Sequence, residues 1–321
     1  MCSPIQANLP RTTSNSSPEA DPAAVFADRM LDILNSGALA IMTSVGHRTG
    51  LFDTLAELSA DNGAASSAEI AIAGGLNERY VREWLAAMTT GGIVRFDPES
   101  GKYRLPEHHA VWLTRAASPD NLAVTAQFLP LVAGVEDDIV QCFHNGGGVP
   151  YERFRRFHDV MAEDSGQTVV AGLFEHILPL VPGLHQRLTD GIDVLDLGCG
   201  RGRALMAMAR AYPASRFSGV DFNPEAIQWG QSEAERLCIE NLVLEVRDAA
   251  KLDEDVAYDL VTTFDAIHDQ GAPQQVLNGI RQALRSGGVY LMQDINGSSH
   301  VHNNLEHPLA PLMYTLSTMH C

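Results

Sequence analysis

Lysine is almost absent from this 321-residue chain: Lys102 and Lys251 are the only two, and arginine supplies the rest of the positive charge. Lys+Arg total 22 against 40 Asp+Glu, a formal net charge of −18 at pH 7. Phosphate neutralisation dominates nucleic-acid affinity, so this balance argues against non-specific contact with DNA, RNA or an anionic membrane. No uninterrupted apolar run approaches the length of a membrane span, and the N-terminus lacks the basic-then-apolar layout of a secretory signal. Five cysteines (Cys2, Cys142, Cys199, Cys238 and Cys321) are scattered without paired or metal-type spacing, which suits a reducing compartment. A cytoplasmic protein with no membrane partner is the expectation. His300, His302 and His307 match no standard zinc spacing, so no metal is expected either.

What the chain does have is Val194-Leu195-Asp196-Leu197-Gly198-Cys199-Gly200-Arg201-Gly202. An apolar run closes on an aspartate and passes into three glycines at alternate positions, the way a buried parallel strand delivers its end to a nucleotide-like ligand. The glycines permit positive φ and let backbone approach the ligand without a Cβ in the way. An NAD fingerprint wants glycine or alanine three residues after its second glycine; here that position is Arg203, and the third glycine comes one residue early. No Gly-Lys-Ser/Thr follows, so a Walker phosphate loop fails too.

The segment Asp196 to Gly202 resembles the first motif of the class I S-adenosylmethionine-dependent methyltransferases. Downstream, Arg216 to Asp221 reads as a second strand ending in an acid, with Asn223 as N-cap and Pro224 opening a helix. An acid there faces ribose hydroxyls across the sheet crevice. Strands follow at Leu242–Val246, Tyr258–Phe264 and, after Gly287-Gly288, Val289–Asp294. The pattern is that of an α/β, Rossmann-like doubly wound sheet. The resemblance implies S-adenosyl-L-methionine as cofactor and places Asp248 against its adenine amino group. The cofactor set it implies is Asp196, Gly198, Gly200, Gly202, Asp221, Phe222, Asp248, Ala249, Phe264 and Asp265. Cys199 reads as a small side chain that fits the turn.

Residues 1–22 are rich in Ser, Thr, Pro and Asn and read as a disordered tail. Residues 23–115 read as an α-rich winged-helix and dimerisation domain: a helix from about Ala23 to Val45, helices at Leu51 and Ser66–Ala73, one capped by Asn77, and a hairpin around Asp97–Gly101. The stretch Ala38–Val45 is almost wholly apolar, so a second copy of the subunit is expected to cover it. Two readings of this module stay open, DNA binding and dimerisation with pocket closure. Glu78 and Glu83 beside Arg79 and Arg82 leave the third helix no basic excess for a groove, so no nucleic-acid partner is expected. The arrangement resembles the N-terminal domain of two-domain small-molecule O-methyltransferases, and more closely an actinobacterial-type winged-helix group, chiefly through Gly46-His47-Arg48-Thr49-Gly50-Leu51-Phe52-Asp53.

Residues 116–185 read as a helical connector, Asp120–Phe143 and Phe154–Leu180, and the resemblance implies that these helices roof the cofactor. Tyr151, Phe154, Phe157, His158 and Met161 are the candidate substrate-pocket residues. Residues 186–296 form the cofactor-binding core, and 297–321 a loop and short helix. An aliphatic or phenolic hydroxyl needs a base for its proton, and histidine suits that task. His268 follows the fourth strand, and Ile267-His268-Asp269 resembles the step that carries the general base in plant-type O-methyltransferases; Asp265 could orient it. The expected function is methyl transfer to a small-molecule acceptor, at oxygen, by a homodimer. A winged-helix regulator sensing the cofactor and a non-catalytic binding chain are the alternatives. The last two strands of a seven-stranded class I sheet are not found, so truncation, poor stability and an unpaired apolar edge at Val289 and Leu291 are expected.

Overall fold

The computed structural model describes residues 21–253 and 255–320. Of the expected tail, only Asp21 and Pro22 fall among the described residues, where they cap and open the first helix. That helix, α1 (Pro22–Thr49), ends where Gly50 turns left-handed at φ 73° and leads directly into α2 (Leu51–Leu58). A capping box between Ser66 and Glu69 starts α3 (Ser67–Gly74), and Asn77 caps α4 (Glu78–Thr90). The hairpin of β1 (Arg95–Asp97) and β2 (Lys102–Arg104) completes a winged helix, with Phe52, Leu55, Ile70, Trp84, Leu85 and Met88 in its core.

The covering of α1 differs from the expectation. Leu39, Met42 and Val45 pack on the chain's own winged-helix core, and Trp84 donates its indole N–H to the Met42 carbonyl at 2.8 Å. Glycine permits the approach: a Cβ on Gly91 would sit 2.3 Å from Leu39 Cδ2. Most of the uncovered apolar side chains of α1 lie instead in its first half, at Val25, Phe26, Met30, Leu31, Ile33 and Leu34.

The connector is more broken than its periodicity suggests. After α5 (Glu107–Ala110), the stretch from Asp120 divides into α6 (Leu122–Thr125), α7 (Phe128–Ala133) and α8 (Glu136–Asn145). Pro130 has no N–H for the Ala126 carbonyl, so one continuous helix cannot form. The next stretch holds α9 (Phe157–Ser165), followed by wide π-turns at Gly166–Val170 and Leu173–Ile177.

The remaining elements are α10 (Leu184–Asp190), β3 (Asp193–Leu197), α11 (Arg203–Ala211), β4 (Arg216–Asp221), α12 (Pro224–Arg236), β5 (Leu242–Val246), β6 (Tyr258–Phe264), α13 (Pro273–Ala283), β7 (Leu284–Gln293) and α14 (Ala310–Met319). The five strands β3–β7 form one parallel sheet in the order β5-β4-β3-β6-β7. Both faces are buried. Val194 joins the cluster under α10 and α11, while Leu195 and Leu197 join the one under α13.

β7 begins earlier than expected, because Leu284 already pairs with Tyr258 across a bulge that absorbs Gly287 and Gly288. Among the described residues β7 pairs only with β6. The edge is unpaired there, as anticipated, but Val289 and Leu291 are turned into the core, Leu291 at 7% exposure, and Met292 is the exposed apolar side chain of the strand.

Candidate functional site

β3 has β4 on one side and β6 on the other, so chain order reverses at its end. Doubly wound sheets hold ligands at that point. A cavity opens there. Its floor is Asp196, Gly198, Cys199, Gly200, Asp221, Phe222, Phe264 and Asp265, and its roof is Tyr151, Phe157, His158, Met161, Ala162 and Ser165.

Each glycine of the turn does a different job. Gly198, Gly200 and Gly202 all have positive φ (71°, 53° and 70°). A Cβ on Gly198 would come within 2.6 Å of Ala266 Cβ, and one on Gly202 within 3.1 Å of the Leu244 side chain. Gly202 thus serves helix–sheet packing and does not line the cavity. A Cβ on Gly200 would meet nothing within 4 Å; it would project into the space that a ligand needs.

Asp221 stiffens the turn from β4. Oδ2 accepts the Gly200 N–H at 2.9 Å and Oδ1 the Asn223 N–H at 2.9 Å, and lone pairs remain on both oxygens. Asp196 is buried at 3% exposure and accepts the Thr262 hydroxyl at 2.7 Å. Burial raises its pKa to about 7, opposed by that hydrogen bond and reinforced by the charge of Asp221. Asp265 stands at φ 48°, in a conformation unusual for a non-glycine residue, and burial likewise raises its pKa. Asp164, on α9 but outside the cavity lining, is raised to about 6 by burial and by Asp265. Asp196, Asp221, Asp265 and Asp269 bring four carboxyl groups to one cavity, and a cation placed among them would offset their mutual repulsion. A sulfonium compound fits that donor set and the open space above Gly200. Burial drives the Cys199 thiol well up, so it stays protonated and unreactive.

The aromatic roof is a cluster. The Tyr151 ring lies 4.9 Å from Phe222 and 5.4 Å from Phe157, both edge-to-face. Phe154 is buried behind them and does not line the cavity. Burial lowers the pKa of His158, with Asp221 the leading opposing charge. His320, from the end of α14, stacks on Phe157 at 4.3 Å. Nothing in the sequence pattern pointed to His320.

Besides Gly202 and Phe154, three further predicted residues stand outside the cavity lining: Asp248, Ala249 and His268. Asp248 caps the short turn after β5, accepting the Ala250 N–H at 2.9 Å, and pairs with Lys251 at 3.0 Å. His268 is oriented by Asp294 rather than by Asp265: its Nδ1 is 2.6 Å from Asp294 Oδ1, and its Nε2 is 3.5 Å from Asp269 Oδ1. Asp269 and Gln270 do line the cavity. Asp294 was legible as an acid closing the fifth strand, but its pairing across β6 and β7 was not. His300 and His302 stack on each other at 5.6 Å, and among the described residues no group of three or more His, Cys, Asp or Glu could hold a metal ion. No described helix is long and apolar enough to cross a membrane.

Comparison with known proteins agrees with this geometry. Residues 37–115 match the family of Rv2258c-like winged HTH domains, and residues 188–319 match a methyltransferase domain family. Among solved structures, mitomycin 7-O-methyltransferase is similar at a TM-score of 0.64 and 17% identity, over 87% of this chain and 84% of that one. Human N-acetylserotonin methyltransferase, solved with S-adenosylmethionine, is similar at 0.63 and 17%, over 95% and 88%. Among curated sequences, malonyl-[acyl-carrier protein] O-methyltransferase of Bacillus cereus is 25% identical over 157 residues, 49% of this chain and 52% of the relative. The chain therefore spans about half the length of that relative.

Proposed function

We propose that this chain, which matches an Rv2258c-like winged HTH domain over residues 37–115 and a methyltransferase domain over residues 188–319, transfers a methyl group from S-adenosylmethionine to the oxygen of a small-molecule acceptor. The observation that carries the reading is the cavity at the strand-order reversal, floored by Asp196, Gly198, Gly200 and Asp221. Bound S-adenosylmethionine supplies the methyl group and its own sulfide leaving group.

The chain's residues bind, orient and move a proton. Asp221 accepts the ribose hydroxyls, and Phe222, half exposed at the cavity wall, covers the adenine face. Asp248 and Ala249 take the adenine edge from the end of β5. Asp196, Phe264 and Asp265 flank the methionine part. Tyr151, Phe157, His158 and Met161 exclude water from above. His268 receives the acceptor's proton at Nε2, the nitrogen turned away from Asp294 and toward Asp269 of the cavity lining. Oxygen as the methylated atom rests on that histidine, since a hydroxyl is a poor nucleophile until a base takes its proton.

The winged-helix domain acts here as a structural part of the enzyme. On α4, Arg82 lies 3.8 Å from Glu78, which also accepts the Ser67 hydroxyl, so the helix offers no free basic stripe to DNA. The apolar first half of α1 pairs two copies into a homodimer. Free cysteines at 142, 199 and 238 suit a cytoplasmic setting.

Calorimetric titration with S-adenosylmethionine and S-adenosylhomocysteine tests the core of this. Absence of binding by a folded sample would sink it. Asp221→Ala, which removes the acceptor for two backbone N–H groups and for the ribose, should weaken binding at least tenfold, by about 1.5–3 kcal/mol. Sequence-specific retention of genomic fragments in a gel shift at 0.15 M salt would favour a regulator instead.

A further inference from the structure

The segment Gly46–Asp53 has no place in the chemistry above, yet it contains a buried histidine aimed at the cofactor roof. His47 ends α1 and its side chain is 2% exposed. Its Nε2 lies 2.7 Å from Glu163 Oε1, on α9 in the connector. Glu163 Oε2 accepts the Gln127 amide at 2.7 Å, and Gln127 Oε1 accepts Arg156 Nη2 at 3.1 Å. The other end of the same segment is tied in as well. Arg115 donates Nη2 to the His47 carbonyl and its backbone N–H to Asp53, both at 2.7 Å.

The helix that Glu163 holds is the cavity roof. His158, Met161, Ala162 and Ser165 face the cavity, while Glu163 points back toward α1, as helical spacing dictates. On the cofactor side the same helix is tethered by Asp159 to Arg201 of the glycine turn at 2.8 Å. Burying a polar ring costs free energy unless it is bonded, and Nδ1 of His47 is buried without a partner among the described residues, so the Nε2–Glu163 contact is the one bond that offsets the cost and ties α9 to α1.

We propose that His47 and Glu163 are positioning residues through which the winged-helix domain sets the roof of the cofactor cavity. The N-terminal domain is then part of the cofactor site and not an appended module. This rests on the cavity being the S-adenosylmethionine site.

The geometry allows a swap test. With its proton on Nε2, His47 donates to Glu163, which then accepts from two donors at once. A glutamine there keeps one acceptor and turns the other into a donor, which His47 meets only by moving its proton to Nδ1, a buried nitrogen without a partner among the described residues. Glu163→Gln should therefore weaken S-adenosylhomocysteine binding by the full-length chain about tenfold in calorimetry. Adding Gln127→Glu restores a donor–acceptor match and should return affinity to within about twofold of wild type. A purely steric role would not show that rescue. Binding by Glu163→Gln equal to wild type, or a swapped pair no better than Glu163→Gln, overturns the proposal. If Glu163→Gln does not melt cooperatively, His47→Ala and His47→Gln decide. The alanine variant should lose about tenfold, and the glutamine variant, which keeps an N–H for Glu163, should lose less. An alanine variant that binds like wild type, or equal losses in the two, refutes it. No binding by folded wild type sinks the cofactor reading and this inference with it, whereas wild-type binding with unchanged variants sinks the inference alone.

Discussion

His268 and Asp294 are joined across the carboxyl edge of the sheet, with Nδ1 of the imidazole 2.6 Å from Oδ1 of the carboxylate. The pair links the loop after β6 to the residue after β7, so the ring is held in one orientation. A carboxylate on Nδ1 places the remaining proton chemistry at Nε2. His268→Gln should therefore lower kcat by about 100- to 1000-fold while leaving S-adenosylhomocysteine affinity unchanged. Asp294→Asn should lower kcat less, by about tenfold, since it removes the orienting charge and leaves the ring in place. Unchanged turnover in His268→Gln, measured with an accepted hydroxyl compound, would remove this residue from the base role.

Asp196 should make both stability and ligand binding depend on pH. Its folded-state pKa of about 7 lies above the ordinary value of 3.8, so the folded protein keeps a proton that the unfolded chain releases. Stability then falls as pH rises from about 4 to 7, by up to about 4 kcal/mol from this group. Asp164, raised to about 6, adds in the same direction. Asp196→Asn should show a smaller drop in Tm between pH 5 and pH 8 than wild type. A sulfonium ligand favours the ionised carboxylate, so its binding should strengthen from pH 6 to pH 8 with proton release detectable by calorimetry. A pH-independent Kd would contradict the raised pKa.

The first half of α1 should control oligomeric state. Phe26, Leu31 and Leu34 are 64%, 58% and 65% exposed, a large apolar display for a single helix. Leu31→Glu together with Leu34→Glu should convert a dimer to a monomer in sedimentation equilibrium while the winged-helix core stays folded. A wild-type chain that sediments as a monomer would end the homodimer reading.

Gly46 should tolerate no side chain. A Cβ there would lie 2.5 Å from Trp84 Cζ2 and 2.8 Å from Phe52 Cε2, whose rings already meet edge-to-face at 5.2 Å. Gly46→Ala should destabilise the chain by about 1–3 kcal/mol, read as a lowered midpoint in urea. The displaced partner would be the helix end that carries His47, so cofactor affinity should fall with it.

The sequence by itself determined the parts that depend on local rules. Asp196 to Gly202 announced a ligand turn because glycines at alternate positions have few other uses beside a buried strand. Strand ends at Asp221 and Phe264 were visible because a parallel strand buried on both faces is a short apolar run with sharp limits. The winged helix was visible because Ser66 and Asn77 cap their helices through side-chain bonds within three residues. Only the tertiary structure decided what depends on separation along the chain. That Thr262 satisfies Asp196, that Asp294 and not Asp265 holds His268, and that Asp248 stands beside the cavity follow from strand order and register, which local pattern does not encode. That Leu39, Met42 and Val45 are covered by the chain's own core was not legible for the same reason, since apolarity says that a face is buried and not against what. His47 is the clearest case: its partner Glu163 lies 116 positions away, and packing of the two domains alone brings them to 2.7 Å.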